Sequence, residues 1–265
     1  MSTLLGFISQ PPPSVFITAM SLISLTFLAN SGFSEIRGKH YQYSKFWNVN
    51  SQKSAAKQIK VSSRTGMLLL YTPAFLAGLA SFGIFHDEGF RFLLLNSAVT
   101  IHFFKRVLEV LFVHKYSGAM SVDDAIPISV SYFLSAASMI YAQHLSRGFP
   151  EPSIDLKYPG IVLFLMGISG NLNHHYLLSK LREEGDKEYK IPKGGLFDWV
   201  ICPHYLFEIL GFIGVSFISQ TLYAFCYTMG TTVYLMGRSY ATKRWYLSKF
   251  EDFPKDVKAL IPYVF

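Results

Sequence analysis

Charged residues are scarce in this chain. Only 15% of its 265 residues are Asp, Glu, Lys or Arg, whereas 51% are hydrophobic. Because a soluble domain usually carries about 25% charged residues, this composition excludes an ordinary soluble globular protein. Cysteine is nearly absent as well, since the sequence has only Cys202 and Cys226, each inside an apolar segment. The sequence therefore offers neither a disulfide framework nor a cysteine zinc site.

Several common catalytic and binding motifs are also missing from the sequence. No G-x-G-x-x-G follows a strand pattern, which excludes a Rossmann domain as the nucleotide holder. The sequence shows no hydrolytic triad, no paired catalytic carboxylates and no cluster of metal ligands, so we expect no metal ion. Its basic residues are scattered and belong to no recognisable nucleic-acid-binding module. We therefore expect membrane lipids, and no nucleic acid, as partners.

Long apolar segments are what the chain has in abundance. A helix needs about 20 apolar residues to cross a bilayer, and seven segments approach that length. The pattern predicts an all-α fold: a single integral membrane domain, residues 1–265, built as a bundle of seven transmembrane helices. The predicted spans are residues 12–32, 65–85, 90–114, 125–145, 158–178, 198–218 and 220–244.

The distribution of positive charge predicts the orientation of these spans. Residues 1–11 contain no Lys or Arg, whereas seven such residues lie between positions 33 and 64. The positive-inside rule then predicts a lumenal N-terminus, a cytosolic first loop and, after seven spans, a cytosolic C-terminus. Of the 24 Lys and Arg, 21 fall on the cytosolic side, and Arg91, Arg147 and Lys157 lie opposite. The net charge of +7 thus indicates topology and attraction to anionic lipid headgroups.

Ionisable residues cluster near the cytosolic end of the third predicted span. His102, Arg106 and Glu109 share one helix face, and Lys105 lies beside them. An ion pair between Arg106 and Glu109 within the helix would neutralise two of these charges. Alternatively, Lys105 or Arg106 binds a phosphate group of a ligand. The sequence leaves both roles open.

Polar residues also end the fifth predicted span, which reads Asn171-Leu-Asn-His174-His175. Adjacent residues on a helix point about 100° apart, so His174 and His175 cannot both bind one metal ion without help. Hydrogen bonds at the helix end and contacts with a cofactor are the two remaining interpretations. In the loop that follows, Gly194-Gly195 permits positive φ or close backbone approach.

A carboxylate lies within the sixth predicted span. Glu208 follows His204 by one turn, and a buried carboxylate needs hydrogen-bond donors or a proton. Arg238 lies at the same depth on the seventh span, with Thr242 and Tyr246 on the same face, so we predict a Glu208–Arg238 ion pair. Such a pair is either purely structural or also frames a cofactor. The polar ends together predict a cytosol-facing cage in which a polar cofactor meets a lipophilic substrate.

Four short motifs resemble the steroid 5α-reductase family, most closely its plant-type members. They are Gly38-Lys39-His40, Lys190-Ile-Pro-Lys-Gly-Gly-Leu-Phe197, Lys249-Phe-Glu-Asp-Phe-Pro-Lys255 and Leu260-Ile-Pro262. The family-type C-terminal region covers residues from about 110 to 265. The resemblance implies a multi-pass enzyme of the endoplasmic reticulum membrane that reduces a conjugated carbon–carbon double bond with NADPH.

The resemblance and the polar clusters together identify the candidate cofactor-binding positions. Several match the family pattern directly, although Lys190 replaces Arg and Thr242 stands where many members have His. The expected positions are Lys105, Arg106, His114, Asn171, His175, Arg182, Tyr189, Lys190, His204, Glu208, Arg238, Thr242 and Tyr246.

The substrate-binding positions depart from the family pattern. Animal members hold the steroid carbonyl with a Glu and a Tyr, and this chain has Tyr71 and Phe103 in their places. Because Phe103 cannot donate a hydrogen bond, we expect the phenol of Tyr71 to be the catalytic donor, with His102 and Phe103 lining the substrate pocket. With Tyr71 as the donor, the family resemblance implies 5α-reduction of a 3-oxo-Δ4-steroid.

Alternatives to steroid reduction remain open. The segment from His102 to His114 is also similar to very-long-chain enoyl-CoA reductases, which makes a trans-2-enoyl-CoA or another lipid enone the second candidate substrate. The substitutions at both carbonyl-binding positions leave a non-catalytic membrane partner or scaffold as the third interpretation.

Overall fold

Helices account for 71% of the residues that the structure describes. The computed structural model describes residues 6–9, 14–41, 46, 59–181 and 188–265. Seven α-helices lie within these ranges, in the order that the apolar segments predict. They are α1 (Val15–Ile36), α2 (Ser63–Ile84), α3 (Phe90–Leu108), α4 (Val122–His144), α5 (Lys157–Lys180), α6 (Pro203–Ser219) and α7 (Leu222–Lys249).

Hydroxyl side chains begin several of these helices. Ser14, Ser62, Ser121 and Thr221 each accept a hydrogen bond from a backbone N–H in the first turn that follows. These N-H groups have no partner within the helix, so a short polar side chain just before the apolar run fixes where the helix starts.

Helices α1, α2 and α4 are long and apolar enough to cross a membrane, and α6 is a shorter apolar helix, within the ranges that the structure describes. The protein is therefore a membrane protein by length and composition. Helices α3, α5 and α7 have lower hydropathy because they carry ionisable residues such as Lys105 and His175. Seven spans, and the orientation of the termini, stay predictions.

Some predicted boundaries were wrong. The sixth segment, 198–218, begins as a helix only at Pro203, because residues Gly195–Asp198 form a short 3-10 turn. Proline is favoured in the first turn of a helix, where its missing N–H costs nothing. The third segment leaves regular α-helix after Leu108 and continues as a π-helical turn, Glu109–Val113.

The fold is not purely helical. A short antiparallel ladder pairs β1 (Lys60–Ser62) with β2 (Ala119–Ser121), with Val61 opposite Met120. Three-residue strands outside the apolar segments carry no hydropathy signal, which explains why the all-α prediction omitted them. The ladder joins the start of α2 to the start of α4, beside the site described below.

Glycines allow two helix pairs to approach closely. A Cβ on Gly167 of α5 would overlap the backbone at Gly211 of α6, and a Cβ on Gly237 of α7 would overlap the backbone at Gly32 of α1. Small residues at such contacts let membrane helices pack backbone to backbone. The pairs α5–α6 and α1–α7 thus form rigid walls of the bundle.

At one end of the bundle, a buried arginine joins three parts of the chain. Arg91, at the start of α3, donates to Glu151 at 2.6 Å, to Asp155 at 2.7 Å, to the Ile218 carbonyl at 2.8 Å and to Gln220 at 3.0 Å. We call these five residues the Arg91 network. It fixes the loop before α5 and the turn between α6 and α7 to α3.

The turn at Gln220 depends on this network. Gln220 adopts the left-handed conformation with φ of 50° and is fully buried. Its amide nitrogen donates to the Ile154 carbonyl at 2.9 Å and its oxygen accepts from the Leu156 N–H at 2.8 Å. A non-glycine residue persists in this conformation only where the surrounding contacts determine it.

Candidate functional site

A polar cavity of about 300 Å³ opens at the end of the bundle opposite Arg91. It lies where α2 and α6 begin and where α3, α5 and α7 end, so each helix contributes the residues of its polar terminus. Ten of the residues expected from the sequence line it within the described ranges: Tyr71, Arg106, His114, His175, Tyr189, Lys190, His204, Glu208, Arg238 and Tyr246.

An apolar chamber of about 70 Å³ adjoins the polar cavity. His102 and Phe103, the expected substrate-pocket residues, line it together with aromatic and aliphatic side chains from α1, α2, α4, α6 and α7. Some residues line both spaces, and we call them the junction. The junction consists of Met67, Tyr71, Tyr132, Glu208, Tyr234 and Leu235.

A carboxylate organises the α3 side of the cavity. Glu109 is buried and pairs with Lys105 at 2.8 Å and with Arg106 at 2.9 Å, so the intrahelical Arg106–Glu109 pair, one of the two roles that the sequence left open, is present. His175 Nδ1 on α5 lies 2.9 Å from Glu109 Oε1. Because a carboxylate only accepts, His175 donates from Nδ1 in this contact. Lys105, Arg106, Glu109 and His175 are called the Glu109 network below.

Asn171 connects the Glu109 network to α6. Its side-chain oxygen accepts from Lys105 Nζ, and its amide nitrogen donates to the His204 carbonyl at 2.7 Å and to Glu208 Oε2 at 3.4 Å. Lys105 and Asn171 thus lie behind the cavity wall and hold the residues that form it. A buried amide with all of its hydrogen bonds made fixes its neighbours in one arrangement.

The predicted Glu208–Arg238 pair is wrong. Arg238 instead pairs with Glu35 of α1 at 2.6 Å, and both side chains are at most 2% exposed. Arg238 and Glu208 do line the same cavity, as their similar depth suggested. The depth of two residues in a membrane can be read from the sequence, but the neighbour of each helix cannot, and α1 rather than α6 supplies the carboxylate.

Glu35 and its neighbours are the main polar group that the sequence analysis missed. The other Glu35 oxygen lies 2.6 Å from His40 Nδ1, and the Tyr41 N–H donates to Glu35 at 3.4 Å. Phe46 packs beneath the Arg238 guanidinium at 4.2 Å and against the His40 ring at 4.3 Å. The signal that could have identified this group is Glu35 itself, because it is a single acidic residue at the end of an otherwise apolar segment.

Junction aromatics were also missed. Tyr132 of α4 stacks on Tyr71 with ring centroids 5.6 Å apart and packs against Phe103 at 5.8 Å. Tyrosine within an apolar span is common, so nothing in the sequence distinguishes Tyr132.

Thr242 and Arg182 are the remaining expected residues. Thr242 is buried, and its hydroxyl has no hydrogen-bond partner among the described residues, whereas Arg182 lies outside the described ranges.

His174 has a structural role. Its Nδ1 donates to the Gly170 carbonyl at 2.7 Å and its Nε2 accepts from the Leu196 N–H at 3.1 Å, so both ring nitrogens are used. Gly194 and Gly195 have φ of 86° and 57°, and a Cβ on Gly195 would approach His174 Nε2 to 2.8 Å. The glycine pair is therefore required for the turn that packs on α5.

The chemistry of the cavity wall disfavours a metal ion. Ligand atoms of Glu109, His114 and His175 lie within 4.8 Å of one another. However, both Glu109 oxygens already accept from Lys105 and Arg106, and these cations would repel a second positive charge. The same wall suits anionic groups.

A dinucleotide cofactor fits this lining. Lys115, Lys190 and Arg238 supply positive charge, while Glu208 can accept hydrogen bonds from hydroxyl or amide groups. Tyr116 also lines the cavity, and burial raises the pKa of its phenol, which is therefore a neutral hydrogen-bonding group at neutral pH. Charged and neutral groups are thus both available to a polar ligand.

Comparison with known proteins identifies the family. The family model described as 3-oxo-5-alpha-steroid 4-dehydrogenase matches residues 127–265. The steroid 5-alpha-reductase DET2 of Gossypium hirsutum is 31% identical over 182 residues, which are 65% of this chain and 70% of that protein. The 3-oxo-5-alpha-steroid 4-dehydrogenase 2 of Macaca fascicularis is 36% identical over 134 residues, covering 50% of this chain and 52% of the relative.

A relative named for another substrate is similar as well. The very-long-chain enoyl-CoA reductase of Dictyostelium discoideum is 33% identical over 167 residues, covering 62% of this chain and 55% of the relative. The chain thus spans about half the length of the macaque and Dictyostelium proteins. The chain belongs to the 3-oxo-5-alpha-steroid 4-dehydrogenase family of oxidoreductases that act on CH–CH groups.

Proposed function

We propose that this protein is an NADPH-dependent reductase that 5α-reduces a 3-oxo-Δ4-steroid in the endoplasmic reticulum membrane. The observation that carries the proposal is the junction, where Tyr71 and Glu208 face a polar cavity on one side and an apolar chamber on the other. A polar cofactor and a lipophilic substrate can meet only where such spaces adjoin. The match to steroid reductases over residues 127–265 supports this choice of substrate.

The polar cavity would hold NADPH, which supplies a hydride when it is bound. Lys190 and Arg238 would attract its phosphates, and Glu208, which Asn171 holds in place, would orient its polar groups. Thr242, Tyr189, His204 and Arg182, the last outside the described residues, stay predicted contacts.

The apolar chamber would hold the substrate. Phe103 and His102 would pack against the steroid rings and exclude water from the reacting carbons. Tyr71 would donate a hydrogen bond to the 3-oxo group. This bond strengthens as negative charge develops on that oxygen, so it stabilises the transition state more than the ground state.

A second candidate is reduction of a trans-2-enoyl-CoA. The similarity to the Dictyostelium enoyl-CoA reductase over 62% of this chain favours it. The same Tyr71 phenol would then polarise a thioester carbonyl, and the acyl chain would enter the apolar chamber. The two candidates share a reaction type and differ in the group attached to the carbonyl.

Product analysis separates these candidates. Membranes containing the protein would be incubated with NADPH and either a 4-en-3-one steroid or a long-chain trans-2-enoyl-CoA, and the products identified by mass spectrometry. Membranes containing the Glu208→Gln variant serve as the matched control. A 5α-dihydrosteroid supports the proposal, and a saturated acyl-CoA alone supports the second candidate. Neither product, together with no NADPH binding, would indicate a non-catalytic partner or scaffold.

A further inference from the structure

Arg106 contacts the phenol at the junction directly. Its Nη2 donates to the Tyr71 hydroxyl oxygen at 2.6 Å, and its guanidinium carbon lies 4.6 Å from the centre of the Tyr71 ring. A guanidinium has five N–H donors and no acceptor, so the phenol oxygen must be the acceptor in this bond. The phenol hydrogen is therefore directed to another acceptor, and Tyr71 lines both the cavity and the chamber.

The opposite side of the same guanidinium is held in place. Arg106 Nη1 donates to Glu109 Oε2 at 2.9 Å, while Glu109 Oε1 accepts from Lys105 at 2.8 Å. Only 2% of the Glu109 side chain is exposed. Because Glu109 cannot rotate without breaking several charge-assisted hydrogen bonds, Arg106 presents Nη2 to Tyr71 in one orientation.

Arg106 is the cation in direct contact with the Tyr71 phenol. Lys105 and Arg106 together face two carboxylates, Glu109 and Glu208, so the favourable effect on Tyr71 comes from this contact and not from an excess of positive charge. In a buried setting, a guanidinium bonded to the phenol oxygen stabilises negative charge on that oxygen. By contrast, Arg106 could bind a cofactor phosphate only by giving up its contact with Tyr71 or with Glu109.

We propose that Arg106 is a positioning residue that acts through Tyr71 and does not bind the cofactor phosphates. The inference rests on the proposed reduction of an enone and assigns the role of the missing family Glu–Tyr pair to the Arg106–Tyr71 pair. As hydride adds to the β-carbon, the electron pair of the double bond moves toward the carbonyl and forms an enolate. Tyr71 gives its proton to the enolate, and the resulting phenolate stays bonded to Arg106.

Solvent in the polar cavity supplies the proton that the reaction consumes. The enol becomes the saturated ketone when its proton moves to the α-carbon, so one hydride and one proton have added across the double bond. Water in the cavity, which Tyr71 also faces, then returns a proton to the phenolate. Arg106 holds the phenolate during this interval and never exchanges its own proton, since a guanidinium stays charged in proteins.

A double-mutant cycle tests this inference. Tyr71→Phe, Arg106→Gln and the double variant would be assayed with the enone that the wild-type protein reduces, at saturating NADPH. Arg106→Gln should lower kcat by about 10²-fold in the wild-type background but by less than about 3-fold beside Tyr71→Phe, since groups that act as a unit are not additive. NADPH binding, measured by fluorescence in the absence of substrate, should change by less than about 3-fold.

Arg106→Lys is the second variant of the experiment, because it keeps the charge and is the less disruptive change. The single ammonium of lysine cannot bond Glu109 on one side and Tyr71 on the other as the guanidinium does. This variant should therefore fold and bind NADPH, while kcat falls by at least about 10-fold. Equal losses from Arg106→Gln in both backgrounds, or an NADPH Kd raised by about 10-fold with kcat unchanged, would overturn the inference alone. Wild-type protein that binds NADPH but reduces no enone would instead refute the proposed function, and the role of the pair with it.

Discussion

The two ends of the bundle contain buried ionic groups of similar composition but different surroundings. In the Arg91 network, the guanidinium is satisfied by two carboxylates, a backbone carbonyl and Gln220. In the Glu109 network, Arg106 and His175 line a cavity, and Arg106 donates to a tyrosine that faces an apolar chamber. Buried charge in an apolar helix therefore does not by itself mark a functional site. The adjoining space does, because only there can a ligand reach the charged groups.

The same contrast appears around Arg238, which pairs with one acidic residue and lines the cavity together with another. Glu35 is buried behind it and forms the ion pair, whereas Glu208 lines the cavity and takes the Asn171 amide. We infer that Glu35 is structural and that Glu208 is available to a ligand. Substitutions at the two carboxylates should therefore have different consequences.

Glu35→Gln should destabilise the protein most. It leaves the buried Arg238 without its counter-charge, which costs about 3 kcal/mol in comparable buried pairs. Thermal unfolding in detergent would measure the effect. Glu208→Gln is the matched control, and it should lower NADPH affinity with a smaller change in stability. If the two variants behaved in the reverse way, Glu208 would be the structural carboxylate.

Tyr71→Phe should lower turnover by about 10²-fold, because it removes the main donor to the developing oxyanion, while leaving thermal stability nearly unchanged. Steady-state kinetics on the preferred enone would show it. Tyr223→Phe is the control, since the Tyr223 phenol contacts Ser24 at 3.1 Å and lies away from both spaces. A normal rate for Tyr71→Phe would remove this residue from the mechanism.

Arg91→Gln should destabilise the protein by about 2 kcal/mol without changing turnover at saturating substrate. Most of that effect comes from the lost hydrogen bonds to Ile218 and Gln220, since Glu151 is 58% exposed and its charge is screened by solvent. Chemical or thermal denaturation together with kcat would test both parts. A loss of kcat larger than the loss of folded protein would show that the two ends are coupled.

The smallest expected effect is a pH dependence in the Arg91 network. Burial alone would raise the pKa of Asp155. Hydrogen bonds from Lys157 and Arg91 outweigh this effect and lower that pKa to about 2. A carboxyl with a lowered folded-state pKa stabilises the protein above its ordinary pKa, and that contribution is lost as the pH falls toward 2.

The Asp155 effect can be measured by comparing the Tm of wild-type protein and Asp155→Asn. The difference should be present at pH 5 and shrink by pH 3. The corresponding difference in the free energy of unfolding should stay below about 1 kcal/mol because Asp155 is 34% exposed. A difference that grows on acidification would contradict the assigned direction of the pKa shift.

The sequence predicted the helices and the end of the bundle that carries the site, because apolar runs and polar helix termini are local features. It also offered the Arg106–Glu109 pair as one of two alternatives, since these residues are three positions apart on one helix. It did not predict the Glu35–Arg238 pair, whose members are 203 positions apart, because which helices are neighbours depends on packing through Gly32 and Gly237. Tyr132 was missed because a tyrosine in an apolar span carries no distinguishing signal.

The proposed hydride transfer from NADPH to an enone can be tested by following deuterium from the nicotinamide to the substrate. The protein would be supplied with NADPH deuterated at the hydride position and a 4-en-3-one steroid, and the product examined by mass spectrometry and NMR. The account predicts a saturated 3-oxo product with one deuterium on the former β-carbon and a proton from solvent on the α-carbon. A protein that binds NADPH yet returns the steroid unchanged, or a product without deuterium at the β-carbon, would contradict it.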